Sequence, residues 1–315
     1  MTVILGAGLL VASATAQPAG GAIMGPMTYP TGLTRTHKAL KYASTSSARI
    51  PDLFVPTGTG PFAVVVNIRG GGFALGSKEM LDGAVAQALL KAGIAIASIN
   101  YRISGEALFP AVVLDAKAAV RFLRANAAKY KLNGKVVAFG QSAGGNIASM
   151  LGTSGGVKEF DAAKLGNIGS SSRVVGVVNW FGPNDFLAMD AQAKAQGCAA
   201  SDQTHNAATL FESKYLGAAI QIVPALAKKA NPITYIDKSD APTLVQKGDQ
   251  DCTVPIQQSV QLVDALKKAS VRSEYDLLIA SVTATRWAAV RLCSAAPPTS
   301  SASWPSCKAR SNKAG

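Results

Sequence analysis

The stretch VVAFGQSAGGNIASM, residues 136–150, contains the side chain with the clearest capacity for chemistry, Ser142. Gly140 and Gly144 flank the serine, an apolar run precedes it, and a small-residue segment with helical character follows it. This pattern presents a nucleophilic serine on a sharp strand-to-helix turn, where side chains two residues away would collide. A glycine-rich turn without a chemical role is the alternative. A serine hydroxyl is a weak nucleophile until a base removes its proton, so the pattern also requires a histidine or its equivalent.

A second candidate element is the glycine loop IRGGGF, residues 68–73, which follows another apolar run. Backbone amides of such a loop, together with the amide of Ala143, can bind the oxyanion of a tetrahedral intermediate. Glycines let the backbone approach a substrate closely. Three glycines alone are weak evidence, so this prediction depends on the position of the loop after a strand and upstream of Ser142.

An acidic residue that could orient a histidine lies in KGDQDCTVP, residues 247–255. Asp251 is the preferred candidate because it stands in an Asp-x-x-Val-Pro pattern at the end of an apolar strand, and Asp249 is the second candidate. A carboxylate in this position stabilises the charged form of the catalytic histidine. The alternative is an aspartate turn that closes the strand.

Apolar segments alternate with helical patterns through residues 36–280, the predicted catalytic domain. Strands are predicted over 61–72, 94–101, 135–142, 172–182, 242–251 and 273–280, and helices over 84–93, 114–130, 143–151 and 259–270. This alternation predicts an α/β fold with a mostly parallel central sheet and helices on both faces. The glycine loop, Ser142 and Asp251 all fall where strands end, which is where ligands bind in such sheets. Residues 183–241 interrupt the alternation and are interpreted as a cap-like excursion near the site.

Seven segments resemble, in order, the α/β-hydrolase esterases, within the hormone-sensitive-lipase-like group that includes feruloyl- and acetylxylan-esterase-like enzymes. They are NIRGGGFALGSKE, NYRISGEALFPA, AVRFLRANAAKY, FGQSAGGNIA, NWFGPNDF, ANPITYID and GDQDCTVPIQQS. The resemblance covers about residues 38–280 and implies the α/β-hydrolase fold. It also implies that Ser142 is the nucleophile and Asp251 the triad acid, with the amides of Gly70, Gly71 and Ala143 as oxyanion donors.

The sequence departs from the pattern of this group in two places. The glycine loop usually opens with histidine, and here that position is Arg69. This change should disturb the hydrogen bonds within the loop without removing its backbone donors. The second departure is the missing base, because the triad histidine should follow the last strand and none occurs there. The chain has only His37, which precedes the core, and His205, which lies in the excursion and is the candidate substitute base.

The tail, residues 281–315, loses the alternating pattern and contains Cys293, Cys307, two of the three tryptophans and only positive charge. If Val282–Val290 are written with GC-rich codons, a two-base shift gives His-Gly-Asp-Pro-Val-Gly-Gly-Gly. A histidine then appears where the fold requires one. The hypothesis is therefore that this tail is disordered or comes from a frameshift, in the gene or in its reading.

The N-terminal residues 1–16 are typical of a signal peptide, with an apolar run and an Ala-Thr-Ala sequence before residue 17. No lysine or arginine precedes the apolar run, so an apolar N-terminus without a targeting role is the alternative. Residues 17–35 are predicted to form a linker or extended arm. Export to the periplasm or the medium would allow Cys198 and Cys252, both in the domain, to form a disulfide, and two unrelated buried thiols are the alternative.

The sequence thus predicts a secreted carboxylic ester hydrolase with an acyl-serine mechanism and impaired activity. The expected substrates are small-molecule esters, which include small esters and esters derived from plants. No cofactor, metal or membrane span is implied. The net charge of +13 includes +5 in the tail and forms no basic run with interleaved aromatics, which disfavours nucleic-acid binding. The alternatives are a catalytically inactive protein of the same fold and a serine peptidase. The sequence does not predict the oligomeric state.

Overall fold

The computed structural model describes residues 27–43, 51–161 and 165–279. The predicted signal peptide (1–16) and the aberrant tail (281–315) lie outside the described residues, as does the first part of the predicted arm. The described part of the arm packs on the body, where the ring of Tyr29 meets that of Phe54 with centroids 5.1 Å apart.

Seven strands form the central sheet of the described chain. Their bounds are Asp52–Phe54 (β1), Phe62–Ile68 (β2), Ile94–Ile99 (β3), Leu132–Gln141 (β4), Gly176–Trp180 (β5), Thr243–Gly248 (β6) and Ser273–Leu278 (β7). The strand order is β1-β3-β2-β4-β5-β6-β7. β1 runs antiparallel to β3, and all other neighbouring pairs are parallel. The predicted mostly parallel sheet is confirmed.

Helices cover both faces of this sheet. Their bounds are Gly83–Lys91 (α1), Ala111–Ala125 (α2), Ala143–Thr153 (α3), Met189–Gln196 (α4), Phe211–Leu216 (α5), Pro224–Lys229 (α6) and Ile256–Lys268 (α7). α1 packs on the face that includes Val65 and Ile96, whereas α2 and α3 pack on the opposite face with Val64 and Val66. The apolar face of α2 is buried, because Ala116, Ala119, Val120 and Leu123 are at most 1% exposed.

The sheet differs from the sequence prediction in several places. β1 was not predicted, because a three-residue strand is too short to show a period. β5 begins at Gly176 and not at 172, and α2 contacts the residues that precede it. The Arg124 guanidinium donates to the carbonyl oxygens of Ser171 and Arg173. The strands of the predicted site also end earlier than predicted, at Ile68, Gln141 and Gly248, so the glycine loop, Ser142 and Asp251 lie in the segments that follow these strands.

The predicted excursion, residues 183–241, contains α4, α5 and α6 joined by short turns. Within the described residues, no helix combines the length and the apolar character needed to cross a membrane.

Candidate active site

Ser142 occupies the turn between β4 and α3 and has a φ of 52° and a ψ of −125°. A positive φ is strained for a residue with a side chain, and such strain is found at functional turns. The turn is held by the Ser142 amide, which donates to the Trp180 carbonyl oxygen at 2.9 Å. A side chain at Gly140 would collide with the backbone of Gly144, and one at Gly144 with the backbone of Ile68. The glycine spacing is therefore required by the turn.

The glycine loop lies directly against this turn. A Cβ atom added to Gly70 would lie 3.3 Å from the Ser142 Cβ and 3.0 Å from the Gln141 carbonyl oxygen. Gly71 has a φ of +103°, and its carbonyl oxygen accepts from the amides of Ala74 and Leu75 at 3.0 and 2.8 Å. The loop is thus folded back on itself beside the serine.

The three amides predicted as oxyanion donors belong to these two elements. Those of Gly70 and Gly71 come from the loop, and that of Ala143 comes from the first residue of α3. Within the described chain, none of the three donates to a backbone carbonyl oxygen. The N-terminus of α3 also favours negative charge at this point. The arrangement can therefore bind an anion that forms next to the Ser142 hydroxyl.

Arg69, which replaces the usual histidine, is only 2% exposed and braces the glycine loop from inside. Its Nη1 donates to the carbonyl oxygen of Gly70 at 3.2 Å and to that of Leu75. The guanidinium carbon also lies 4.1 Å from the ring centre of Tyr101. The expected disturbance of the loop is thus not what the structure shows, because the guanidinium supplies hydrogen bonds across the loop.

Replacing this brace should destabilise the loop. Arg69→Met is expected to lower the free energy of unfolding by about 2 kcal/mol, because the carbonyl oxygens of Gly70 and Leu75 lose a charged donor. Chemical denaturation measures the change. Tyr101→Phe is the matched control, since it keeps the ring under the guanidinium and should cost less. An Arg69→Met chain as stable as the parent would contradict this role.

Asp251 is buried, with 3% exposure, in the loop after β6. One carboxylate oxygen accepts from the Val254 amide at 3.0 Å, and the other accepts from the Lys247 ammonium at 2.6 Å. Lys247 is fully buried and also donates to the Val254 carbonyl oxygen. Burial lowers the pKa of Lys247, whereas the Asp251 carboxylate opposes that change. The candidate triad acid is therefore held as one half of a buried ion pair.

The alternative acid, Asp249, is half-buried at the end of β6. Its amide donates to the carbonyl oxygen of Leu278, the last residue of β7, at 3.1 Å. Gly248 also pairs in register with Leu278. The chain therefore leaves β7 beside the acid loop, which is where the predicted histidine would enter.

The excursion is fastened to the acid loop by a covalent bond and by hydrogen bonds. Cys198 and Cys252, the pair proposed from the sequence, are joined in a disulfide with their Cα atoms 5.6 Å apart. The Gln196 side chain donates to the Asp251 carbonyl oxygen at 2.9 Å and accepts from the Ile256 amide at 2.8 Å. These contacts on both sides of the loop fix the backbone that carries the acid.

Removing the disulfide should therefore loosen both segments. The variant Cys198→Ala/Cys252→Ala is expected to lose about 2–4 kcal/mol of unfolding free energy, because the unfolded chain regains the freedom of a long loop. Denaturant unfolding with and without reductant measures the effect. The parent should fall to the level of the variant when reduced, and the variant itself should not respond. Equal stability of the oxidised parent and the variant would contradict this expectation.

His205 is 7% exposed and links the excursion to the same loop. Its Nδ1 lies 2.8 Å from an Asp190 carboxylate oxygen, and its Nε2 lies 3.0 Å from the Thr253 carbonyl oxygen. Both ring nitrogens are thus engaged with acceptor oxygens of the excursion and the acid loop, and the described residues show no hydrogen bond between either nitrogen and Ser142. The geometry does not favour His205 as a substitute base, and that role stays a prediction.

His37 lies at the opposite edge of the sheet. Its backbone pairs with Leu53 of β1, and its ring packs edge-on against Tyr130 with centroids 4.8 Å apart. β3 and β2 separate β1 from β4, the strand that leads to Ser142. Among the described residues, the Ser142 hydroxyl makes no hydrogen bond to a histidine. The described residues therefore place the nucleophile beside the oxyanion amides and bring no histidine to the serine.

Two residues of this site were missed by the sequence analysis. Lys247 is a charged residue within an apolar strand, four positions before Asp251, and that placement was the available signal for the ion pair. Gln196 comes from the distant excursion, and no local pattern reveals its contacts. In the described part of the chain, no three metal-ligating side chains form a cluster.

Comparison with known proteins places this geometry among esterases. A family model described as BD-FAE matches residues 52–266. Esterase LipC of Mycobacterium tuberculosis is 27% identical over 213 residues, which are 67% of this chain and 50% of LipC. Esterase LipQ of the same organism is 26% identical over 222 residues, which are 70% of this chain and 49% of LipQ. The chain thus spans about half the length of these relatives.

Solved structures show the same fold. A truncated carbohydrate esterase from gut microbiota has a TM-score of 0.71 and 30% identity, with coverage of 80% of this chain and 90% of that one. A bifunctional GH43-CE protein of Bacteroides eggerthii has a TM-score of 0.69 and 34% identity, with coverage of 77% and 34%. The α/β-hydrolase fold implied by the sequence is confirmed, and the scaffold is that of serine carboxylesterases.

Proposed function

The chain belongs to the BD-FAE family, and from that premise we propose that it is a carboxylic ester hydrolase that acts through an acyl-serine intermediate. The observation that carries the proposal is the strained Ser142 turn next to three amides without backbone acceptors. Ester hydrolysis needs a hydroxyl nucleophile beside donors that stabilise the developing oxyanion, and loss of one such donor typically costs about 3 kcal/mol in the transition state.

The proposed reaction follows from these positions. The Ser142 oxygen attacks the ester carbonyl carbon, and the carbonyl oxygen becomes an oxyanion bound by the amides of Gly70, Gly71 and Ala143. The tetrahedral intermediate collapses, the alcohol leaves with a proton, and water then releases the acid from Ser142. A histidine held by Asp251 would carry these protons. Without it, the oxyanion amides and substrate binding leave about 10³–10⁴-fold catalysis over water.

The proposed substrates are small or plant-derived esters, with acyl groups on a carbohydrate as the first choice. Two structural neighbours at 30% identity or more support this choice, because one is described as a carbohydrate esterase and the other as a bifunctional GH43-CE protein. Acetyl and feruloyl esters of plant polysaccharides are the corresponding test compounds.

A catalytically inactive protein of the same fold is the second candidate. The observation that favours it is the absence of any histidine after residue 205 in the whole sequence. Such a protein would retain the fold and bind a ligand without turnover. Assays of ester hydrolysis by a variant that contains the missing histidine distinguish this inactive protein from an esterase.

We also propose export, on the basis of the signal-like residues 1–16. The disulfide between Cys198 and Cys252 supports this proposal, because structural disulfides persist in oxidising compartments. Mass analysis of the secreted protein should find the mature N-terminus at residue 17. A full-length chain retained in the cytoplasm would contradict export.

The test of the proposed activity uses a variant named the histidine-restored chain, with Val282→His, Thr283→Gly and Ala284→Asp. It is assayed in parallel with p-nitrophenyl acetate, an acetylated xylo-oligosaccharide, methyl ferulate and an aminoacyl anilide. Hydrolysis of the esters that disappears with Ser142→Ala would support the esterase. Faster anilide turnover would indicate a peptidase instead, and no Ser142-dependent turnover of any compound would favour the inactive protein.

A further inference from the structure

A polar cavity that is not lined by Ser142 lies where α2 meets the segments that follow α3 and precede β5. Its volume is about 260 Å³. The lining comes from α2 through Lys117 and Arg121, from residues 155–158 after α3, and from residues 168–173 before β5. None of these residues belongs to the esterase site, so the function proposed above does not account for the cavity.

Two cations of this cavity are buried in its inner wall. Lys117 is 1% exposed, and its ammonium donates to the Ser154 carbonyl oxygen at 2.5 Å. Burial, together with the neighbouring Arg121, lowers the pKa of Lys117 to about 8. Burying a charge is costly unless it is paired. The lowered pKa reports an environment in which a further negative charge would be stabilising.

Arg121 has donors without partners. Its side chain is 7% exposed, and Nη2 donates to the carboxylate of Asp161, which is itself 54% exposed at the rim. Within the described chain, Nε and Nη1 are buried and have no hydrogen-bond partner. Buried polar groups are nearly always satisfied in folded proteins, so two orphaned guanidinium donors on a side chain that lines the cavity indicate a missing acceptor.

Arg173 is the third cation of the cavity, and its side chain lies close to Gly155 and Gly156. A Cβ added to Gly155 would lie 3.1 Å from the Arg173 guanidinium carbon, and one added to Gly156 would lie 3.3 Å from its Nη2. Glycines therefore permit the close approach of this side chain to the loop. Asp237 and Asp240 also interact electrostatically with Arg173. Neither aspartate lines the cavity. Among the lining residues, Asp161 is the acid, and Lys117, Arg121, Lys158 and Arg173 are the bases.

We propose that this cavity is a binding site for a small tetrahedral oxyanion, phosphate or sulfate, either free or carried as an ester on a larger molecule. The oxyanion would accept from the free Nε and Nη1 of Arg121 and from the Arg173 guanidinium, and it would lie close to the charge of Lys117. Guanidinium groups suit this role because their planar array of donors matches phosphate geometry. Asp161, exposed at the rim, would give up part of its contact with Arg121.

Isothermal titration calorimetry of the whole chain with sodium sulfate and with sodium phosphate tests the site, at an ionic strength held constant with chloride. Saturable one-site binding is expected. Arg121→Gln and Arg173→Gln should each weaken it about 10-fold or more, since each removes charged donors from the oxyanion. Arg272→Gln is the matched control, because this arginine is half-exposed at the start of β7 and outside the cavity. It should leave binding unchanged.

Arg173→Gln keeps the test decisive if the buried Arg121 proves necessary for folding, because Arg173 is exposed. Absence of saturable binding by the parent would overturn the proposal, and so would equal affinity of the parent and the folded Arg173→Gln chain.

A sugar phosphate titrated beside inorganic phosphate identifies the source of the oxyanion. Tighter binding of the sugar phosphate indicates an anion on a larger ligand, and tighter binding of inorganic phosphate indicates a free anion. Both results support the site.

Discussion

The histidine-restored chain is expected to hydrolyse p-nitrophenyl acetate about 10⁴- to 10⁶-fold faster, in kcat/KM, than the chain without a histidine after β7. The base removes the serine proton during attack and returns it to the leaving alcohol, so its absence affects both halves of the reaction. The position is chosen because β7 ends next to the acid loop, where Leu278 pairs in register with Gly248.

The matched control carries Val282→Ala with the same glycine and aspartate after it, so that only the imidazole differs. This control should be as slow as the parent. Ser142→Ala should abolish the gain in the histidine-restored chain and should change the parent by less than about 10-fold, because triad members act as a unit. If the histidine-restored chain is folded but no faster than its alanine control, the assignment of the missing base to this position is wrong.

Breaking the buried ion pair below the acid loop should have the largest effect on stability. Lys247→Met is expected to lower the unfolding free energy by about 3–5 kcal/mol, because it leaves the Asp251 carboxylate buried without its partner. The side chains of Lys247 and Asp251 are 0% and 4% exposed, so water cannot replace the lost interaction. Denaturant unfolding followed by circular dichroism measures the change.

Lys229→Met provides the control for this prediction. Lys229 also forms an ion pair, with Glu159 at 2.7 Å, but the two side chains are 49% and 46% exposed. Exposed pairs contribute about 0–1 kcal/mol, so this variant should unfold almost as the parent does. The double variant Lys247→Met/Asp251→Asn should recover part of the stability lost by Lys247→Met, since it removes the unpaired charge. Equal losses in Lys247→Met and Lys229→Met would contradict the role assigned to the buried pair.

The sequence predicted most of the elements that carry the candidate site, because each has a strong local cause. The Ser142 turn needs its flanking glycines to avoid backbone collisions, and that need is visible as spacing. The central parallel strands β3, β5 and β6 are buried on both faces, and such strands appear as largely apolar runs. Asp251 follows such a run, so its position beyond the carboxyl end of that strand could be predicted together with the strand.

The features that were not predicted depend on long-range contacts. β1 is too short to have a period and is fixed by its pairing with β3. The Arg69 brace depends on a guanidinium that reaches the Leu75 carbonyl and the Tyr101 ring, and a motif comparison sees only the loss of a histidine. Gln196 reaches the acid loop from 55 residues away in sequence. Such contacts become visible only when the chain is folded.

Labelling of Ser142 by a fluorophosphonate is the most direct test of the claim that this serine is the nucleophile of an ester hydrolase. The histidine-restored chain is incubated with the reagent, digested, and its peptides are mapped by mass spectrometry. The account predicts a single adduct on Ser142, which disappears in Ser142→Ala and forms much more slowly in the parent chain. An unlabelled Ser142 in the folded histidine-restored chain, or undiminished labelling of the Ser142→Ala variant at another serine, would contradict it.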